Sequence, residues 1–290
     1  MMRYLIIAGL IFSIWSTAQA GPDRVYMSSM EDSKWTLSVA SPIRCEIEHV
    51  IPQFGKAVFY QESGRPLRLK FVSRHDYKKD LNVAFRSVTA NWKGVQTQAT
   101  LADLKTSGVK DSLVDIEDDT ARYSYFELQQ GNQPSLFFID DVDGFNSVSV
   151  ILSTVRFRDV EEDFGSCIAQ LHPYNFEDIR VARVHFEFDE EFPQPEEEDA
   201  ALAKILAYMK LDPSVKKLRI SGHADFKGTE CYNDTLSARR AWYIYDYLVS
   251  SGIEPAQLEL EYFGEDRPLA KGKDDEARAI NRRVTVTMIR

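Results

Sequence analysis

The chain is short of positive charge, of cysteine and, beyond residue 20, of long apolar runs. Its formal net charge is −10 at pH 7. Phosphate backbones need a basic surface, so nucleic acid is a poor fit as a partner. Lysine and arginine are scattered, apart from small clusters such as Arg239-Arg240 and Arg282-Arg283. No later stretch reaches eighteen consecutive apolar residues, so no membrane-spanning helix is expected after the N-terminal segment. G-x-S-x-G, H-E-x-x-H and phosphate-loop patterns are missing, as are internal repeats and low-complexity segments. No catalytic set, metal or cofactor is therefore expected, and the chain reads as a non-enzyme.

The first twenty residues are MMRYLIIAGLIFSIWSTAQA. Arg3 precedes an apolar run from Leu5 to about Trp15, then small residues ending Ala18-Gln19-Ala20. This is the pattern of a cleaved export signal, with cleavage expected after Ala20. No cysteine follows it to carry a lipid. Export places Cys45, Cys167 and Cys231 in an oxidising compartment, where one disulfide and one leftover thiol are expected. Three pairings are open. Cys45–Cys167 is favoured because both precede the domain boundary drawn below. A loop of that length would stabilise by roughly 4–5 kcal/mol through chain entropy.

Residues 21–290 are enough for two domains, and two grammars divide them. From about Lys34 to Phe157 the period is two, in LRLKF (67–71), LNVAF (81–85), YSYFEL (123–128) and SVSVILSTVRF (147–157). ESGRP (62–66), QGNQP (130–134) and DVDGFN (141–146) punctuate these runs. The expectation is an all-β N-terminal domain, a sandwich or partial barrel, over 21–170. DVDG lacks the terminal glutamate of a calcium loop and reads as a hairpin turn. His49 reads as a polar residue near a strand edge, and residues 45–60 as an exposed edge able to accept a partner strand. Phe54-Gly55 reads as a turn or bulge.

Beyond about residue 175 strands and helices alternate. RVHFEFD (183–189), KKLRISGHA (216–224), QLELEYFG (257–264) and RRVTVTMI (282–289) read as strands. A helix with an acidic first turn follows FPQP, its apolar face carried by Ile205, Leu206 and Met209. A second helix spans about Glu230–Ser251, with Thr229 as N-cap, Gly252 as stop, and Ala241, Ile244, Tyr245 and Leu248 as its buried stripe. The order is β-α-β-α-β-loop-β, an α/β domain over 171–290.

Within it lies GHADFKGTECYNDTLSARRA (222–241). The strand end carries Asp225, and the third turn of the following helix carries Arg240. A strand-loop-helix return can bring them to one cleft, where Asp225 would accept from an ammonium and Arg240 would fork onto a carboxylate. A zwitterion suits that pair. An internal Asp225–Arg240 salt bridge suits the same spacing. On the zwitterion reading, Arg240→Ala should harm binding more than folding. His223, Asp225 and Cys231 do not match a trusted metal-ligand spacing. Cys231 with His223 lacks a third orienting group for thiol hydrolysis.

FEFD (186–189), GHAD (222–225), Gly228, YN (232–233), LS (236–237), RRA (239–241) and NRRV (281–284) together resemble the OmpA-like peptidoglycan-binding domain. Ala224 replaces the more usual threonine. The resemblance implies that Asp225 grips the ammonium and Arg240 a carboxylate of diaminopimelate in the wall peptide, with Asn233 and Arg282 as further contacts. C-E-I-E-H-x-I-P-x-F-G-x-A-x-F (45–59) resembles the MotY family, soluble periplasmic proteins of sodium-type polar flagellar motors. That resemblance implies a non-enzymatic component of the T ring, built with MotX around the flagellar basal body, which helps anchor PomA/PomB stator units. Two alternatives stand beside it. One is a peptidoglycan hydrolase targeted by an OmpA-like domain, for which the N-terminal half shows no convincing catalytic set. The other is a general cell-envelope tether, which would normally carry a lipid-modified cysteine or barrel strands.

Overall fold

The structure, a computed structural model, describes residues 23–109, 111–140 and 146–290. The expected export signal (1–20) and the DVDG turn lie outside them. The N-terminal strands are β1 (Arg24–Tyr26), β2 (Trp35–Ser41), β3 (Arg44–Ile51), β4 (Gly55–Glu62) and β5 (Arg68–Ser73). They continue as β6 (Asn82–Thr89), β7 (Gln98–Lys105), β8 (Val114–Ile116), β9 (Asn132–Asp140) and β10 (Asn146–Ile151). Two five-stranded sheets result, ordered β1-β10-β9-β6-β7 and β2-β3-β4-β5-β8. Alternation explains them: in β6, Val83, Phe85 and Ser87 are buried between less buried neighbours. Phe71 of β5 meets Phe85 of β6 edge-on at 6.2 Å, so inward aromatics of the two sheets pack together.

The N-terminal half holds helix that its aromatic composition disguises. YSYFEL forms part of α1 (Asp118–Gln129), not a strand. Ala121, Ser124 and Leu128 are buried at helical spacing, and Asp118 and Asp119 occupy the first turn. Tyr125 then packs edge-on against Phe59 at 5.5 Å and against Phe157 at 5.1 Å. Likewise SVSVILSTVRF is strand only as far as Ile151, and α2 (Arg158–Ala169) follows.

The proposed edge over 45–60 is also corrected. β3 and β4 are interior strands, each with a neighbour on both sides, so their backbone groups are already paired. His49 is fully buried rather than an edge residue. Its Nδ1 lies 3.0 Å from the Lys34 carbonyl, and its ring stacks on Trp35 at 4.8 Å. Burial lowers its pKa. Gly55 opens β4 at φ +151°, where an added Cβ would overlap the Val72 carbonyl oxygen.

The chain groups into two compact units. Of the described residues, the first contains 23–37, 47–60 and those within 67–162; the second contains Ser38–Glu46, Gln61–Pro66 and Asp163–Arg290. Cys45 and Cys167 form a disulfide, with Cα atoms 6.0 Å apart across 122 residues of sequence, and both fall in the second unit. Cys231 is free and exposed.

The second unit contains α3 (Phe176–Ile179), β11 (Val181–His185), α4 (Pro195–Leu211), β12 (Lys217–Gly222), α5 (Glu230–Ser250), β13 (Leu258–Tyr262), α6 (Asp275–Asn281) and β14 (Arg283–Ile289). The expected α/β order is present, with α6 inside the stretch read as loop. Asp274 caps α6 by accepting from Ala277 N–H at 2.8 Å. The sheet order is β11-β14-β12-β13, with β12–β13 parallel and the other pairs antiparallel. Leu202, Ile205 and Tyr208 of α4 and Ala241, Ile244 and Leu248 of α5 join Val184, Leu218, Ile220, Val284 and Val286 in one core. Thr229 caps α5 through Tyr232 N–H. No helix among the described residues is long and apolar enough to cross a membrane.

Candidate functional site

The C-terminal end of β12 delivers the site. Gly222 is required there because an added Cβ would overlap the Ser237 carbonyl of α5, so strand and helix approach as only glycine permits. Beyond it, His223 N–H bonds to Arg283 O at 2.9 Å and Ala224 N–H to Gly264 O at 2.7 Å. These bonds fix the backbone that leads into Asp225. From the facing helix come Asn233 and Arg240, and from the junction between α6 and β14 comes Arg282.

All four sequence-predicted residues, Asp225, Asn233, Arg240 and Arg282, line one cavity of about 480 Å³. Asp225 and Arg240 do not form the internal salt bridge that their spacing also suited. Asp225 is 4% exposed and pairs with Arg282 instead, Nη1 donating to Oδ2 at 3.0 Å. Its other oxygen accepts from Lys227 N–H at 2.9 Å. Arg282 also donates from Nε to Phe186 O at 3.0 Å. Asn233 donates to Glu265 at 2.5 Å.

Arg240 has no exposed surface. Its Nε donates to Glu190 O at 2.8 Å, Nη1 to His223 O at 3.3 Å and Nη2 to Glu187 O at 3.1 Å. Its guanidinium sits 4.9 Å from the Phe186 ring centroid. Of five N–H donors, one on each terminal nitrogen has no acceptor among the described residues. Burial first, and then Arg282, pull its pKa down to about 10. The group borders the cavity from behind the surface side chains, so an anion reaches it only when a lining side chain shifts. Arg240 is thus a clamp on the loop after β11. Arg240→Ala is therefore expected to cost folding stability as well.

His223 is buried, stacked on Phe263 at 5.5 Å, and its Nδ1 has no hydrogen-bond partner among the described residues. Burial, then Arg283 and Arg267, lower its pKa to about 4. Cys231 lines a separate recess beside Tyr232 and Arg239. Among the described residues, no cluster of three or more His, Cys, Asp or Glu side chains is arranged to hold a metal.

Phe188, Asp189, Lys227 and Tyr232 also line the cavity and received no role from the sequence. Tyr232 donates to Asp189, whose backbone is left-handed at φ +64°. Each lies within or beside a quoted motif, so adjacency to FEFD, GHAD and YN was the available signal. A larger open groove of about 940 Å³ crosses the face of the first sheet, but its charged members, Asp80, Asp103 and Lys105, are all exposed.

The family model of the MotY N-terminal domain matches residues 26–173, and that of the OmpA family matches 186–282. A sodium-type flagellar protein MotY from Vibrio parahaemolyticus is 27% identical, over 99% of this chain and 98% of the relative. A peptidoglycan-associated lipoprotein from Pseudomonas aeruginosa is 39% identical over 36% of this chain and 60% of its own length. Among solved structures, the peptidoglycan-associated lipoprotein from Burkholderia pseudomallei is 31% identical over 37% of this chain and 90% of that one, with a TM-score of 0.35. The MotY match takes in more than half of the 290 residues: the chain belongs to the MotY family and carries an OmpA-family region toward its C-terminus.

Proposed function

We propose that this chain is a periplasmic, non-enzymatic component of a flagellar motor that binds peptidoglycan. Residues 171–290 hold the wall, and residues 21–170 engage MotX and the basal body in a T ring that helps anchor PomA/PomB stator units. The observation that carries the reading is the gathering of Asp225, Asn233, Arg240 and Arg282 on one cavity. Membership of the MotY family and the peptidoglycan-associated lipoprotein among the relatives support it.

The ligand is the free end of diaminopimelate in a stem peptide, an ammonium and a carboxylate on one carbon. Asp225 takes the ammonium. Arg282, mostly buried, and Arg240, with no exposed surface, attract the carboxylate, and the two open N–H groups of Arg240 complete the contact after a lining side chain moves. A single such contact is weak, but a ring of copies raises the effective concentration at the wall. Anchoring also suits a part that must resist motor torque.

Co-sedimentation of the exported chain with isolated sacculi tests this. Wild type is expected in the pellet without release of muropeptides. Asp225→Asn keeps the shape and the bond from Lys227 N–H but loses the charge, and is expected in the supernatant with its circular dichroism unchanged. Equal pelleting of the two proteins would refute the assignment, and released muropeptides would favour a hydrolase.

A further inference from the structure

The cavity is lined by more positive charge than a simple zwitterion needs. Lys227, Arg240 and Arg282 face it against two carboxylates, Asp189 and Asp225. Asp225 is committed to Arg282 at 3.0 Å, and Asp189 accepts the Tyr232 hydroxyl. Lys227 is exposed, and its Nζ pairs with no carboxylate among the described residues. It lies 4.7 Å from the centroid of the Phe188 ring, another cavity residue. Its own backbone N–H bonds Asp225, which ties this lysine to the residue assigned to the ammonium. Burial first, and Arg282 second, lower the pKa of Arg240, so two of these cations repel one another across the site. A ligand of zero net charge leaves one positive charge unbalanced. A ligand with one ammonium and two carboxylates balances it.

We infer that Lys227 is a specificity residue that selects, at the mouth of this cavity, a ligand carrying a second carboxylate. Resting on the wall-binding reading above, this names the form of the ligand: a diaminopimelate residue whose α-carboxylate is free as well as its far one. The two charged ends are separated by three methylenes, for which Phe188 and Leu236 supply apolar wall. The second carboxylate then meets the Lys227 ammonium above the Phe188 ring. A wall-binding protein built this way distinguishes stem peptides that end at diaminopimelate from those in which that carboxyl is amidated.

The probes are Nα-acetyl-diaminopimelate, with one ammonium and two carboxylates, and its α-carboxamide, with one of each. Binding of both to the full exported chain is followed by NMR titration. Wild type is expected to favour the diacid by about fivefold, the scale of one partly exposed ion pair. Lys227→Met should abolish the preference while leaving affinity for the amide unchanged, and Lys227→Glu should invert it. Equal affinity of wild type for both probes, or a preference that survives Lys227→Met, overturns the inference. Asp225→Asn separates the two readings. Loss of both probes in that variant keeps the cavity assignment even if Lys227 proves indifferent. Undiminished binding of both sinks the cavity assignment itself, and wild type that binds neither probe overturns the two together.

Discussion

Replacing Arg240 by alanine should weaken the second unit itself, and the structure indicates by how much. The side chain makes three hydrogen bonds to backbone carbonyls, at 2.8, 3.3 and 3.1 Å. A hydrogen bond from a charged donor contributes roughly 1.5–3 kcal/mol, so three would sum far above what is observed for most substitutions. Two effects reduce the total. Glu187 and Glu190 are exposed, so water can replace the guanidinium at their carbonyls. Removing the arginine also relieves the cost of burying a charge, the cost that lowers its pKa. His223 is buried, and its carbonyl loses a donor that water replaces less readily. The expected loss is about 2–4 kcal/mol. Against a typical domain stability of roughly 5–15 kcal/mol this is large but survivable. Urea unfolding, with hydrogen exchange of β12 and β14 amides to report on this unit, measures it. Lysine at 240 should recover less than half of the loss, because one ammonium cannot reach three carbonyls in the guanidinium's plane. Loss of less than about 0.5 kcal/mol in Arg240→Ala, the range of ordinary surface changes, would refute the clamp.

Acidification should destabilise the protein through His223. Its folded pKa of about 4 lies below the ordinary 6.5, so the unfolded chain binds the extra proton. The stabilisation is complete above about pH 6.5 and is lost as pH falls toward 4; His49, also lowered by burial, acts in the same direction. A loss on the order of 2 kcal/mol between pH 7.5 and 4.5 is expected in urea midpoints, and His223→Phe should flatten that slope; an unchanged slope would remove His223 from the account. Reducing Cys45–Cys167 should cost about 2–5 kcal/mol, since the bridge closes a loop of 122 residues. Without reductant, a thiol reagent should modify one cysteine per exported chain, the exposed Cys231, whether folded or unfolded; two or more modified thiols would show that the bridge is absent.

The C-terminal unit was largely legible because its elements announce themselves locally. Thr229 caps α5, and Ala241, Ile244 and Leu248 repeat at helical spacing, so sequence and packing agree. The N-terminal half was less legible where side-chain type and backbone period conflict. Tyr123, Tyr125 and Phe126 favour a strand by composition, yet Ala121, Ser124 and Leu128 bury one face of a helix. The interior position of β3 was hidden for a different reason. Strand order is a property of contacts far apart in sequence, and nothing in residues 45–60 reveals how many neighbours the strand has. In the site, residue identity was readable but pairing was not. Asp225 and Arg240 lie fifteen residues apart and Asp225 and Arg282 fifty-seven, and the longer separation makes the ion pair.

That exchange of partners changes what the motifs mean. FEFD, GHAD and the arginine pair at 239–240 meet because the Arg240 guanidinium ties together carbonyls at Glu187, Glu190 and His223. The buried arginine therefore helps build the cavity, and its loss would deform that cavity whether or not the side chain ever touches a ligand. Loss of wall binding in Arg240→Ala is consequently weak evidence about recognition. Asp225 and Lys227 are the discriminating positions. The first can lose its charge at constant shape, and the second is exposed, its ammonium resting, among the described residues, only on the exposed Phe188 ring. An effect of either on binding, at unchanged stability, reports the ligand rather than the fold.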